Sequence, residues 1–297
     1  MKSRSEYGRE RRSFAARMQD ILRRKSRSAQ TRTYRLIIPL LSEFKAEKNQ
    51  LVFDVDNISK ITQVRKIVDA ALAEEGSQIA RWIAGKVDQL ININRKYFGS
   101  FMPTPRIEQV ADIARNNTLL RLGYNAEANT IIKGGFLDAI TTQTPVGQQV
   151  GAALNQSLGS RMGIKEFRTN FRDLFLKPSG LGLTEAHYYR TTFDIFQQYD
   201  RSVSKEYADQ LELNYAVYSG TTMKNTRPFC SERVGKVFSR EEIEAWKNET
   251  FQGKPTNYNP STDLGGYNCR HSLDWISDEL AESFGRDVAA DQNQSNE

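Results

Sequence analysis

Two cysteines and two histidines in 297 residues exclude a good deal. Cys230 and Cys269 are too few for the disulfide framework of a small secreted domain. There is no Cys-x-x-Cys knuckle, the spacing that most clearly marks a zinc module. Two histidines leave little room for a nucleophile–histidine–acid triad. Long apolar runs are also missing. The longest, Leu36-Ile37-Ile38-Pro39-Leu40-Leu41, is interrupted by proline and falls far short of the roughly 20 residues that span a bilayer. The first residues are charged where a secretion signal would be apolar. No helix-turn-helix or zinc-finger spacing and no repeat of fixed period occurs. These absences predict a soluble protein made in a cytosol, with no membrane required.

The chain does have apolar residues for a packed core, 38% of the total with 15 Phe and 12 Tyr, and a very uneven charge. Up to Arg35 there are twelve Lys/Arg opposed only by Glu6, Glu10 and Asp20. The overall +6 is therefore an N-terminal +9 with a slightly acidic remainder. Within this arm Phe14, Met18, Ile21 and Leu22 form a narrow helical stripe on a basic cylinder. Arg9, Arg11, Arg12, Arg17, Arg23, Arg24, Lys25 and Arg27 are the candidate contacts to nucleic-acid phosphates, a sequence-independent interaction driven by counterion release. The alternative is a solvated helix packed on the body. At the other end, Asp278, Glu279, Glu282, Asp287, Asp291 and Glu297 face a lone Arg286, and residues 278–297 read as an acidic flexible tail.

Between these ends the pattern is helical. One helix is expected over about residues 6–28 and a second over about 31–48, bent at Pro39. Leu51 to Val55 reads as a short strand or a connector. Ile61, Val64, Val68, Leu72, Ile79, Ile83, Val87 and Leu90 keep helical spacing from Asn57 to about Phe98, with Gly76 and Gly85 as places for a break. Further helices are expected over 106–122 (closed by Gly123), from Pro145 to about 162, over 163–176, and from Thr184 to about Leu211, with a loop at Pro178-Ser179-Gly180. After Leu211 the pattern changes. Residues 214–219 alternate and favour strand, 234–238 and 272–276 read as further strands, and Ser239 with Glu242 makes a capping box. The expected fold is mainly α: a long-helix N-terminal body with a small C-terminal α+β module. Its divisions are a basic arm and helix (1–50), a helical body (51–212), the module (213–277) and the acidic tail.

The module carries two motif segments, Thr226-Arg227-Pro228-Phe229-Cys230-Ser-Glu-Arg233-Val-Gly235-Lys236-Val-Phe238 and Gly265-Gly266-Tyr267-Asn268-Cys269-Arg270-His271. Together they resemble the head-morphogenesis domain of the phage Mu F-like minor head proteins. In that family an Arg-Pro-x-Cys or Arg-Pro-x-His segment precedes a Gly-Lys turn, and an Asn-Cys-Arg-His or Asn-Cys-Arg-Cys segment closes the domain. The helix around Glu185-Ala186-His187-Tyr188-Tyr189-Arg190-Thr191 looks like the one that precedes it, so the resemblance covers about residues 184–277. It implies a structural, non-enzymatic minor capsid protein of a tailed bacteriophage, made in the host cytoplasm and placed inside the capsid of the virion. Its partners would be the portal protein, the major capsid or scaffolding protein, and double-stranded DNA bound non-specifically. Some relatives carry a toxin or nuclease after this module; the short acidic stretch here predicts none. Arg227, Pro228, Cys230, Gly235, Lys236, Gly266, Asn268, Cys269, Arg270 and His271 are the structural motif residues.

Three readings of Cys230, Cys269 and His271 stand open. One needs no cofactor: an apolar cysteine pair in the core, with His271 bonded to backbone. The second is a structural zinc with His187, Asp263, Glu232 or water as fourth ligand. The third is a disulfide. Arg227 and Arg270 are expected to pair with Asp263, Asp274 or Glu232, or to contact phosphate. A small RNase-like effector is the alternative function, with His271 as base, Arg270 as phosphate clamp and Tyr267 as accessory.

Overall fold

The computed structural model describes residues 4–142, 145–177, 182–183, 185–186 and 195–286. The chain is mainly helical with small sheets, as the patterning predicted. It divides into two compact units, one of Met1–Met18, Lys86–Leu120 and Asp194–Glu297, the other of Gln19–Gly85 and Arg121–Phe193.

Helix α1 runs without interruption from Arg4 to Ser42 and belongs to both units. The expected break between two helices is not there, because Ala29 and Gln30 at the proposed junction are good helix formers and nothing stops propagation. Pro39 falls in the last turn and removes the backbone donor that would serve the Arg35 carbonyl, yet only three more residues follow it before the helix ends at Ser42.

In the second unit, a two-residue-strand hairpin, β1 (Ala46–Glu47) and β2 (Gln50–Leu51), leads into α2 (Val55–Ala84). Asp54 caps α2 by accepting from the Asn57 amide. Asn57 is fully buried and holds the hairpin exit: its Oδ1 accepts from Lys45 N at 2.9 Å, and its Nδ2 donates to the carbonyls of Lys45 and Val52 at 3.0 and 2.7 Å. The periodic residues Ile61, Val64, Val68 and Leu72 form the α2 side of the core. Against them pack Val146, Val150, Leu154 and Leu158 of α6 (Val146–Gly159) and Phe167, Phe171 and Phe175 of α7 (Ile164–Leu176). The small hairpin β3 (Tyr124–Asn125) and β4 (Thr130–Ile131) and the short α5 (Phe136–Thr142) complete this unit. Its long helix ends at Gly85, one of the two expected breaks; Gly76 stays helical and buried.

The first unit contains α3 (Val87–Phe98), α4 (Thr104–Leu122, most of it), α8 (Ile195–Gln210) and a three-stranded antiparallel sheet of order β6-β5-β7. Its strands are β5 (Tyr215–Ser219), β6 (Val237–Ser239) and β7 (Ser272–Ile276). Between them lie α9 (Pro228–Ser231), α10 (Arg240–Ala245) and α11 (Pro260–Asp263). The capping box of Ser239 and Glu242 is present at the start of α10. Phe98 stacks on Tyr207 with centroids 4.8 Å apart, and Tyr97 Oη donates to the Trp275 carbonyl at 2.9 Å, joining α3 to α8 and to β7. The segment 213–277 therefore shares a unit with residues 4–18, 86–120 and 195–212.

Two expectations need correcting here. Residues 278–283 are not a flexible tail but form helix α12 (Asp278–Ser283). Its Ala281 is buried beside Tyr215 and Ile276, and Asp278 and Glu279 sit in its first turn, where negative charge favours a helix. Residues 284–286 follow this helix, with Arg286 paired to Glu242; the remaining tail, 287–297, the Pro178–Gly180 loop and Thr184 lie outside the described residues. The second correction concerns Arg11. It is completely buried, its Nε and Nη2 donating to the two carboxylate oxygens of Asp200, each at 3.1 Å. Its Nη1 lies 3.5 Å from Asp274 Oδ1 without hydrogen-bond geometry. Burial alone would push this guanidinium down, but Asp200 and Asp274 outweigh it and the group is held above its ordinary value.

Arg11→Ala leaves Asp200 buried with Asn94 as its one remaining side-chain donor among the described residues. We expect it to lower the unfolding free energy by about 3–5 kcal/mol, the usual cost of orphaning one member of a buried pair. Replacing both residues by apolar ones of similar size should recover most of that loss. Urea denaturation of the three variants measures it; a single-variant cost below about 1 kcal/mol, the level of an exposed pair, would contradict the burial.

Candidate metal centre

Local backbone geometry brings the motif residues together. Arg227 is extended and Pro228 opens α9 at its first position, where a missing backbone donor costs nothing. This one-turn helix presents Cys230 inward, 2% exposed. The second segment follows α11 in a tight loop with left-handed backbone at Leu264, Gly266 and Asn268. At Gly266 no side chain fits: a Cβ there would lie 2.0 Å from the Gly253 carbonyl oxygen. The loop delivers Cys269 and His271 to the interior and Arg270 to solvent, the alternation that the sequence spacing implied.

The loop is held mainly through its carbonyl oxygens. Arg201 of α8, 4% exposed, donates from Nε to His271 O at 2.9 Å, from Nη1 to Thr262 O at 2.9 Å and from Nη2 to Cys269 O at 2.5 Å. Arg227 donates from Nη1 to Gly265 O at 3.1 Å and from Nη2 to Tyr267 O at 2.7 Å. The expected carboxylate pairing of Arg227 is thereby replaced by carbonyl binding. Asp274 goes instead to Arg12, at 2.8 Å, and Asp263 accepts from the Asn259 amide. Arg270 is exposed. Gly235 sits in the turn after α9 with φ of 84°, and its amide donates to Tyr218 O. The Lys236 carbonyl accepts from Tyr218 N while its side chain faces solvent.

Cys230, Cys269 and His271 form a buried donor group that could hold a metal ion, their ligand atoms all within 4.8 Å of one another. The two Sγ atoms are 4.0 Å apart and Cys269 Sγ is 3.6 Å from His271 Nδ1. Tyr218, the next-to-last residue of the middle strand, donates its hydroxyl to Cys230 Sγ at 3.3 Å and lies 3.9 Å from Cys269 Sγ. Two glycines make the room. A Cβ at Gly265 would sit 2.2 Å from Cys230 Sγ, and one at Gly220, whose φ is 154°, would sit 2.3 Å from His271 Cδ2. Both cysteines are thiols. Cys269 is held well below the ordinary thiol range, first by its hydrogen bond with Cys230, then by His271 and the charge of Arg201, all against burial. Cys230, the other partner of that bond and itself desolvated, is pushed up. His271 Nε2 is buried with no hydrogen-bond partner among the described residues. The expected backbone bond to the His271 ring is thus replaced by its contact with a sulfur. Of the fourth ligands considered from sequence, Asp263 and Glu232 do not join the group, and His187 lies outside the described residues.

The aromatic surroundings had no motif to announce them. Phe229 and Trp246 meet Tyr218 edge-on, Phe251 stacks on Phe229, and the Arg233 guanidinium lies 3.9 Å over the Phe229 ring while pairing with Glu249. Arg201 was missed too, since it sits on a helix that gives no hint of a loop partner 60 to 70 residues away.

The basic residues of α1 divide by environment. Arg12 pairs with Asp274, and Arg23 and Arg27 both reach the buried carboxylate of Glu185, at 3.1 and 3.2 Å. Arg17 is exposed and bonds Ser13; Lys25 lies over the Trp82 ring at 5.4 Å. Arg9 and Arg24 are exposed, with no ion-pair partner among the described residues. No protein-family model, curated protein or solved structure matches the chain.

Gly265→Ala drives a methyl into Cys230 Sγ. We expect a stability loss of about 1–3 kcal/mol, the usual cost of overpacking, and faster modification of both thiols by a disulfide reagent. Wild-type melting together with wild-type thiol reactivity would show that the sulfurs are not packed against Gly265.

Proposed function

We propose that this protein is a structural minor head protein of a tailed bacteriophage, located inside the capsid, associated with the portal and with the major capsid or scaffolding protein, and touching packaged DNA non-specifically. The observation that carries the reading is that the two motif segments of the resemblance, far apart in sequence, fold onto each other with Cys230 beside Cys269 and Arg227 bonded to the Gly265–Tyr267 loop. In this reading the motif residues are there to build a module, and zinc is the metal that the Cys230–Cys269–His271 group takes as a structural ion. Thiolates and imidazole are ligands that zinc prefers. The RNase-like alternative gains less support: His271 is 6% exposed and faces a sulfur, whereas Arg270 and Tyr267 are exposed. A base that must reach a substrate hydroxyl needs access.

In this reading DNA contact falls to the basic residues of α1 that are exposed and not ion-paired, Arg9, Arg17, Arg24 and Lys25 among the candidates, since Arg23 and Arg27, though exposed, pair with Glu185. Deleting the arm would not test this, because Phe14, Ala15, Met18, Leu22 and Ala29 on the same helix are core residues. Changing those four basic residues to Gln preserves the helix. The substituted protein should bind duplex DNA more weakly, and the slope of log affinity against log salt should shrink by about 0.9 for each phosphate that is no longer neutralised. Equal affinity at every salt concentration would remove α1 from the DNA surface. In purified heads, the chain should resist protease until the capsid is opened; recovery with tails alone would overturn the head assignment.

A further inference from the structure

We infer that the Cys230–Cys269–His271 group binds zinc in closed four-coordinate geometry, with the phenolic oxygen of Tyr218 as the fourth ligand. The inference rests on the zinc reading above and names the donor that completes it. A tetrahedral zinc with bonds of about 2.3 Å to sulfur and about 2.0–2.1 Å to nitrogen or oxygen has ligand–ligand edges of about 3.8 Å for S···S, about 3.6 Å for S···N and about 3.5 Å for S···O. The corresponding distances here are 4.0 Å between sulfurs, 3.6 Å from Cys269 Sγ to His271 Nδ1, and 3.3 and 3.9 Å from Tyr218 Oη to the two sulfurs. These four edges match the polyhedron to within a few tenths of an ångström; Cys230 Sγ and the His271 ring nitrogen lie within 4.8 Å of each other, so that edge can shorten by up to about 1 Å when an ion enters.

Competing fourth ligands are poorly placed. Among the described residues no carboxylate or second histidine joins the group. Water has little access, because Tyr218 is 0% exposed and the other three donors are nearly as buried. The position of the Tyr218 oxygen is set by the sheet. The residue sits opposite Leu273 on β7, bonds Lys236 O through its amide, and has its ring wedged by Phe229, Trp246 and His271. Charge is balanced as well. Zinc replaces the protons on two sulfurs and one phenol, leaving a site of net −1, next to the Arg201 guanidinium bonded to the carbonyls of Cys269 and His271.

The test uses the full-length chain, reduced and stripped of metal, titrated with zinc chloride and separately with cobalt chloride. We expect one ion per chain by elemental analysis, an intense tetrahedral visible spectrum with cobalt, and a tyrosinate difference band in the ultraviolet that grows to one equivalent. Tyr218→Phe keeps the ring and should lose the tyrosinate band, change the cobalt spectrum, and weaken binding by more than the roughly 10- to 100-fold typical of losing an outer-shell partner. Stoichiometric binding by the wild type with no tyrosinate band overturns the Tyr218 assignment, with or without the variant. So does a Tyr218→Phe protein with unchanged affinity and spectrum; in either case the zinc reading survives. No metal on a wild-type chain with two titratable thiols sinks the zinc reading, and this inference with it.

Discussion

Adjacent residues at the middle of α8 tie this unit together through opposite charges. Asp200 accepts from Arg11 and Asn94, and Arg201 donates to three carbonyls, those of Cys269 and His271 and that of Thr262 in α11. Neither charge is solvated, so each depends on its partners being in place, and removing a partner costs several times what an exposed pair is worth. The fork of Arg201 is a case where Lys would not substitute, since one ammonium cannot address three acceptors in fixed directions. The helix thereby sets the path of a loop that has little regular structure of its own. The left-handed residues Leu264, Gly266 and Asn268 are held in that path, since carbonyls drawn toward one guanidinium leave the backbone few alternatives.

The same helix changes the meaning of the N-terminal charge. A +9 arm counted from sequence looks like an undivided electrostatic surface, but Arg11 is fully buried and Arg12, Arg23 and Arg27 are engaged by Asp274 and Glu185. What remains for a phosphate backbone is a smaller set on exposed positions. Affinity that scales with the number of neutralised phosphates is correspondingly lower than the raw count suggests. Buried Arg11 makes α1 part of the unit's interior, so under the proposed DNA role the helix could not simply be removed to test that contact.

What was legible in the sequence follows from whether a signal is local. The α2 stripe from Ile61 to Leu72, the capping box at Ser239 and Glu242, the Gly85 break and the three strands each rest on spacing or on one residue's backbone preference, and the structure has them all. The single α1 was missed by placing a junction where no breaker stands, and α12 because acidic residues hid one small apolar contact at Ala281. The site was legible only as a set of names. Cys230, Cys269 and His271 could be picked out from their motifs, and Cys269 and His271 put on one side by parity. Tyr218 looked like any alternating strand residue, and Arg201 like any helical arginine. Their roles depend on partners 51 and 70 positions away, which no local pattern encodes.

A module of this size usually needs a staple, because few of its residues can be buried on their own. Here the requirement is partly met by packing: residues 213–277 lie in one unit with 4–18, 86–120 and 195–212, and Tyr97 reaches across to the β7 backbone at Trp275. A metal at Cys230, Cys269 and His271 would then not hold up the whole unit, as it does in a zinc finger that is unfolded when empty. Its contribution would be concentrated on the α9 turn and the 264–271 loop, which are short, irregular and joined to the rest in part through arginine–carbonyl bonds. Local opening of such a segment costs less than global unfolding. The site is therefore better understood as closing a loop onto a sheet than as nucleating a fold, and this fits motif residues dominated by backbone shape (Pro228, Gly235, Gly266 and Asn268) with only three that can bind an ion.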